Sequence, residues 1–175
     1  MLRGELVDLR LFRESDLDEF VALWQDVSAR GPYYPLGLTP GVVRRREFLE
    51  SGYWQNNMGR MAIVDKEDVL QGQILAFKPS TYLDMLEIAY IIWRPENRGK
   101  GYMPEAVRLF TDYLFNLHKI NRIQLAVMAG NKASSRVAGK CGFKSEGVLR
   151  QALFQKGQFI DVELFSLLRD ERPKI

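Results

Sequence analysis

Arg98-Gly99-Lys100-Gly101-Tyr102-Met103 is the stretch on which the fold of this chain is decided. An apolar segment at 86–93 ends just before it, and Pro104 and a helical apolar periodicity follow at once. Two glycines let the backbone curl close to a bulky anion with no β-carbon in the way. A helix that begins here leaves its first amide hydrogens without intrahelical partners and aims them at the turn. The partial positive charge at the helix start adds to them. Pro104 suits a first-turn position, where its missing N–H costs nothing. Arg98 and Lys100 contribute full charges. The turn therefore has the features of a pyrophosphate cradle, although an ordinary glycine-rich strand–helix connection has the same composition. A dinucleotide fingerprint would need a third glycine where Pro104 stands, and a Walker A loop would need Ser or Thr after Lys100, where Gly101 stands.

Outward from the turn, Met103, Ala106, Val107, Phe110, Tyr113, Leu114 and Leu117 mark one face of a strong helix. Ile123, Leu125 and Val127 then alternate with Gln124 and Ala126 as a strand. Segment 86–93, the helix and segment 123–127 thus form a strand–helix–strand crossover, expected to be parallel and right-handed. Upstream, 61–64, 73–77 and 86–93 are punctuated by polar turns and read as an antiparallel meander. Segment 6–12 reads as a first strand. Ser15, with Asp18 and Glu19 after it, approximates a capping box for a helix carrying Leu17, Phe20, Val21, Trp24 and Val27. Residues 31–41 form a turn-rich loop with Pro32, Tyr33, Tyr34, Pro35 and Pro40, and a weaker helix covers 42–51. Downstream, a short helix over 133–140 ends at Gly142, and strands near 147–154 and 159–167 join at Lys156-Gly157. The expected architecture is α+β, a mixed and mostly antiparallel sheet of about seven strands with one parallel pair and about four flanking helices.

The chain has 175 residues, 46% hydrophobic and 27% charged, which fits one globular domain over residues 1–175. No apolar run approaches the roughly 20 residues a membrane span needs. The opening Met1-Leu2-Arg3-Gly4-Glu5 lacks an apolar secretory core, so a cytoplasmic protein without a membrane partner is expected. One cysteine and one histidine argue against disulfides and against a zinc site. A net charge of +3 is too small for a nucleic-acid-binding signature. The Arg44-Arg45-Arg46 run, beside Glu47, reads as the solvated face of a helix.

Taken in order, R-G-K-G-Y between strand and helix, Asn131-Lys132-Ala133-Ser134 after the next strand, then Gly142-Phe143 and Glu146-Gly147, resemble the GNAT acetyltransferases. Within them the match is to the RimJ/RimL type, and it extends to the Leu9-Arg10-Leu11 opening and to Asp161. The resemblance implies an acetyl-CoA-dependent N-acetyltransferase acting on a primary amine, with no metal. It implies that the amides of Arg98, Gly99, Lys100, Gly101, Tyr102 and Met103 hold the coenzyme A pyrophosphate. The pantetheine arm would pair with the backbone of Ile91, Ile92 and Trp93, where two parallel strands splay apart. Asn131 matches a residue that hydrogen-bonds the pantetheine or thioester region, and it is equally a helix cap. Glu96 departs from the Gln or Arg common in the wider superfamily.

The tyrosine that many relatives use to protonate the leaving thiolate is absent, since Ala138 stands in its place. In the RimL-like branch a serine serves, and Ser134 matches it; a plain helix N-cap role is the alternative for that residue. A glutamate base in the penultimate strand is also absent, with Leu153 at that position. Glu87, where the superfamily often has an acidic group acting through water, is the remaining candidate base, and it reads equally as a half-exposed strand carboxylate; Asp84, Asp161 and Glu163 are weaker candidates. His118 and Cys141 are read as a helix-end residue and a core residue. An α-amine of pKa about 7.7–8.0 is roughly one-third neutral near pH 7.5, against about one part in a thousand for lysine, a handicap of roughly 3 kcal/mol. By base strength protein N-termini and amino sugars both qualify; the RimJ/RimL resemblance implies a protein N-terminus as the acceptor. A small-molecule amine (amino sugar, polyamine or antibiotic) and an acyl-CoA-binding module without turnover are the alternatives. The loop 31–41 and Tyr53-Trp54 are expected to wall the acceptor site. Relatives commonly dimerise, so a homodimer is an expectation from resemblance.

Overall fold

The structure, a computed structural model, describes residues 1–173, with the side chain of Ala29 outside that description, as are Lys174 and Ile175 at the end of the expected 1–175 unit. In chain order the elements are β1 (Leu2–Arg3), β2 (Asp8–Arg10), α1 (Leu17–Gln25), α2 (Val27–Arg30), α3 (Gly41–Ser51), β3 (Trp54–Gln55), β4 (Met58–Val64) and β5 (Leu70–Phe77). Then come β6 (Met85–Ile92), α4 (Tyr102–Leu117), β7 (Arg122–Met128), α5 (Lys132–Lys140), β8 (Lys144–Gln155) and β9 (Gln158–Leu168). Among the described residues the sheet has nine strands in the order β1-β2-β4-β5-β6-β7-β9-β8, with β3 paired to β4. Seven of them have three residues or more, which is the number read from the sequence; β1 and β3 are two-residue pairings.

All pairings are antiparallel except β6 with β7. That parallel pair runs only from Met85↔Arg122 to Glu87↔Gln124. Beyond it β7 pairs β9 as far as Met128↔Val162, while β6 follows β5 to Ile92↔Gly72. The two strands open like a V, and among the described residues the backbone of β6 from Ile88 to Ile92 has no sheet partner on the β7 edge.

Alternation along the strands sorts side chains into two cores. Leu86, Ile88 and Ile92 of β6 join Ile63, Ile74, Phe110 and Leu114 under α4. Ile91 and Trp93 join Phe12, Phe20, Tyr53, Ala62 and Val64 under α1 and α3. Helices thus cover both faces, and the V opens between them.

Local chemistry sets the element ends. Ser15 does not cap α1: it lies inside a 3₁₀ turn, Glu14–Asp16, and the Asp16 carboxylate accepts the Arg13 N–H at 2.7 Å instead. Asp16 also receives both terminal nitrogens of Arg10, at 2.7 and 2.9 Å, in a buried fork that ties β2 to α1. At the far end of α4, Arg169 donates to the carbonyls of Phe115, His118 and Ile120, satisfying acceptors that a helix terminus leaves open. The β8–β9 hairpin turns at Lys156 and Gly157, both at positive φ. Arg44 departs from the solvated face expected of it: Arg45 and Arg46 are exposed, but Arg44 is turned inward and buried. No helix among the described residues is long and apolar enough to cross a membrane.

Candidate active site

The turn after β6 is built as its residue types require. Gly99 and Gly101 sit at φ +82° and +91°, a region that costs an L-residue roughly 1–2 kcal/mol. A β-carbon at Gly99 would meet nothing within 4 Å, so the conformation, not crowding, demands glycine there. Gly101 is the N-cap of α4 and brings no side chain to its first N–H groups, which are left directed into the turn. Glu105 in the first turn of α4 accepts the N–H groups of Glu5, Leu6 and Val7, each at 2.8 Å, and so fixes the N-terminal segment beside the cradle.

A cavity of about 770 Å³ opens at this turn and runs along the V. Ile91, Ile92, Arg98, Gly99, Gly101, Tyr102, Met103, Asn131 and Ser134 all line it. Of the residues expected to hold coenzyme A or to lead the catalysis, three do not. Trp93 is fully buried, packed in T-shaped contacts with Phe20, Trp24 and Tyr34. Lys100 is exposed and bonded to Asn97. Glu87 lies at the closed end of the V, where strand pairing stops. Arg98 reaches back rather than outward: its Nε donates to the Ile92 carbonyl at 3.1 Å and its Nη2 to that of Trp93 at 3.4 Å.

Ser134 and Asn131 are set by α5. The Asn131 side chain accepts the Ser134 N–H at 3.2 Å as the N-cap of this helix. The Ser134 hydroxyl lies 2.9 Å from the hydroxyl of Tyr90, on the opposite arm of the V. Burial pushes the Tyr90 phenol well above its ordinary value, so it remains protonated and able to donate. Tyr90 was missed in the sequence because it occupies one place in a run of apolar strand residues; only the fold brings it to Ser134. Cationic side chains were also missed: Lys132, Arg136 and Lys140 line the cavity from one face of α5, and their spacing of four was the available signal.

Glu87 is half-buried and accepts a hydrogen bond from Gln124 at 2.6 Å. Burial raises its carboxyl above the usual range, with the Gln124 bond partly offsetting the rise. The weaker candidates have structural partners or none near the V. Asp161 accepts the N–H of Gln151, a positive-φ residue in the bulge of β8, at 2.8 Å. Glu163 accepts from Ser135 at 3.0 Å, and Asp84 is exposed. Leu153 is in β8 and does not line the cavity. Cys141 is buried, its thiol pushed up to about 11 by burial and donating to the Pro104 carbonyl, which makes it core rather than nucleophile. His118 is half-buried at the end of α4, its ring against the Asn57 carbonyl.

Of the two segments expected to wall an acceptor, the loop does line the cavity, through Pro32, Tyr33 and Tyr34. Gln155 of β8 pins it, donating to the carbonyls of Pro32 and Tyr34 at 3.1 Å each. Tyr53 and Trp54 do not: Tyr53 is buried among Phe12, Phe20 and Phe48, and Trp54 packs on Phe110 and Tyr113.

Residues 7–144 match the Acetyltransferase (GNAT) domain family. The chain is 39% identical to "Probable N-acetyltransferase YjcK" of Bacillus subtilis strain 168, over 98% of each chain. Its fold is shared with spermidine N-acetyltransferase from Vibrio cholerae, solved in complex with CoA and spermine, at a TM-score of 0.82 and 22% identity over 96% of this chain and 98% of that one. Mycobacterium smegmatis RimJ, in complex with CoA-disulfide, aligns with a TM-score of 0.77 and 23% identity over 96% of this chain and 84% of that one. The chain belongs to the GNAT acetyltransferase family and is an acyltransferase, which sets aside a module without turnover.

Proposed function

We propose that this GNAT-family N-acetyltransferase binds acetyl-CoA along the V and acetylates the α-amine of a protein N-terminus. The observation that carries it is the single cavity joining three things: the Gly99–Gly101 turn at the start of α4, the unpaired edge of β6, and the Ser134–Tyr90 hydroxyl pair. The residues present fit the cosubstrate. Glycines at positive φ and uncapped helix N–H groups suit a diphosphate. Lys132, Arg136 and Lys140 supply charge to balance phosphates, and the free edge of β6 offers backbone groups to an amide-bearing arm.

When bound, coenzyme A supplies an acetyl thioester activated toward an amine. The transfer forms a C–N bond and breaks a C–S bond; one proton leaves the nitrogen and one reaches the sulfur. Glu87 takes the first through water, its raised carboxyl being better matched to an amine than an ordinary one. Ser134 holds the second, with the Tyr90 hydroxyl behind it to restore its proton. An α-amine suits this machinery because a large share of it is already neutral near pH 7.5. A small ring-bearing amine is the second reading, favoured by the Tyr33 and Tyr34 wall. In this reading the whole chain is one catalytic unit in the cytoplasm, with no metal, membrane or nucleic acid required. Mass spectrometry of peptides incubated with enzyme and acetyl-CoA tests the proposal: acetyl on the α-amine is expected, and turnover of free amines with no peptide acetylated would discard it.

A further inference from the structure

Three arginines surround one indole on the α1–α3 side of the sheet. The guanidinium carbons of Arg30 in α2, Arg44 in α3 and Arg60 in β4 lie 5.3, 4.1 and 5.5 Å from the centre of the Trp24 ring. Arg30 and Arg44 are 5% and 9% exposed. Like charges so close in a partly dry space repel, and burial together with Arg44 pushes the Arg60 guanidinium below its ordinary value. Glu47 supplies a carboxylate to this set, its oxygen 2.9 Å from Arg44. The other bonds go to neutral oxygens: Arg30 to the carbonyls of Pro35 and Gly37, Arg44 to Thr39, and Arg60 to Gln73.

The partners run short on one side only. Nε and Nη2 of Arg30, Nε of Arg44 and the indole nitrogens of Trp24 and Trp93 are buried and meet no acceptor among the described residues. Every one of these atoms is a donor. Buried polar groups are normally satisfied, and rings stacked on guanidinium groups offset only part of the cost. Apolar side chains of similar volume would make a more stable core at these positions. What these unpartnered donors call for is an acceptor, and beside guanidinium groups an anionic one suits best. Arg30 also lines the cavity that contains Ser134 and Tyr90, so the donor set borders the place where the acceptor must sit.

We propose that the acceptor carries a carboxylate close to its reacting amine, and that Arg30, backed by Arg44 and Arg60, receives it. The assignment rests on amine acetylation at this cavity and adds the acceptor's charge. For an N-terminal acceptor it means Asp or Glu at the positions just after the reacting residue. Cationic acceptors are disfavoured, because they would bring positive charge to guanidinium groups that already repel one another.

Matched peptides test this with the intact enzyme: a neutral first residue, then Glu at positions two and three, against the same peptide with Gln. The Glu peptide should have a kcat/KM at least ~10-fold higher, a charge-assisted hydrogen bond's effect, carried mainly by KM and shrinking with added salt. In Arg30→Gln the ratio should move toward one. Equal rates for the two peptides in the wild-type enzyme would overturn the anion site while leaving N-terminal acetylation standing. If no peptide reacts but 4-aminobutyrate is acetylated well ahead of its amide, the carboxylate assignment holds and the N-terminal reading fails. Preference for putrescine over 4-aminobutyrate would overturn it.

Discussion

Replacing Ser134 with alanine separates a hydroxyl that delivers a proton from one that merely packs. Its N–H, which Asn131 caps, is retained in alanine, so α5 keeps its start. What is lost is the 2.9 Å bond to Tyr90, and a bond of that kind contributes about 0.5–1.5 kcal/mol to stability. A structural role therefore predicts a kcat loss below about tenfold, accompanied by a small fall in Tm. A proton delivered to the leaving sulfur predicts about 10²–10³-fold, or roughly 2.7–4 kcal/mol of barrier. The assay is thiol release at saturating acceptor, with coenzyme A affinity measured in parallel by calorimetry. We expect kcat to fall by at least ~100-fold with the affinity for coenzyme A within about threefold of wild type. Tyr90→Phe should lose less, about tenfold, and the double variant should be no slower than Ser134→Ala, since the two hydroxyls act in series. A loss under about fivefold in Ser134→Ala, or losses that multiply in the double variant, would refute the reasoning.

Glu87→Gln should lower kcat by about 100-fold and remove the acid limb of the pH–rate profile, a limb expected above the usual carboxylate range because burial raises this group. The same shift fixes a sign for stability: holding Glu87 ionised is unfavourable in the fold, a cost that appears as pH rises through its raised pKa, so the Gln variant should melt higher than wild type at neutral pH. The Arg10–Asp16 fork behaves oppositely. Burial alone would raise the Asp16 carboxyl, but Arg10 and the Arg13 N–H more than offset it and its net position is lowered. Its contribution is thus present above the unfolded carboxylate pKa and lost as pH falls; Arg10→Met, which strands a buried carboxylate, should cost about 3–5 kcal/mol by chemical denaturation at pH 7.

The crossover was legible because a helical period follows a glycine turn and an alternating strand follows the helix, and both signals are local. The phosphate turn was legible for the same reason: Gly99 and Gly101 stand two apart just before a helical period, and both proved to sit at positive φ. Features made by distant segments were not. Arg44 looked like surface because its neighbours are charged, and it turns inward over the ring of Trp24, which comes from another helix, while the Tyr53 hydroxyl holds its backbone carbonyl at 2.7 Å. Tyr90 and Ser134 lie 44 residues apart, and no spacing rule links them. Ser15 satisfied a capping pattern, yet Asp16 beside it won the position because it also neutralises buried Arg10.

The measurement nearest the centre of the account is calorimetry of coenzyme A and of pantetheine, which lacks the phosphates, on wild-type protein and on Gly101→Val. A branched residue at φ +91° costs at least ~1–2 kcal/mol and moves the first amides of α4, so coenzyme A affinity should fall by about tenfold or more. Pantetheine, having nothing for the turn to hold, should bind weakly and equally to both. Coenzyme A bound with the same affinity by a folded Gly101→Val protein would contradict the assignment of the Arg98–Met103 turn to the diphosphate.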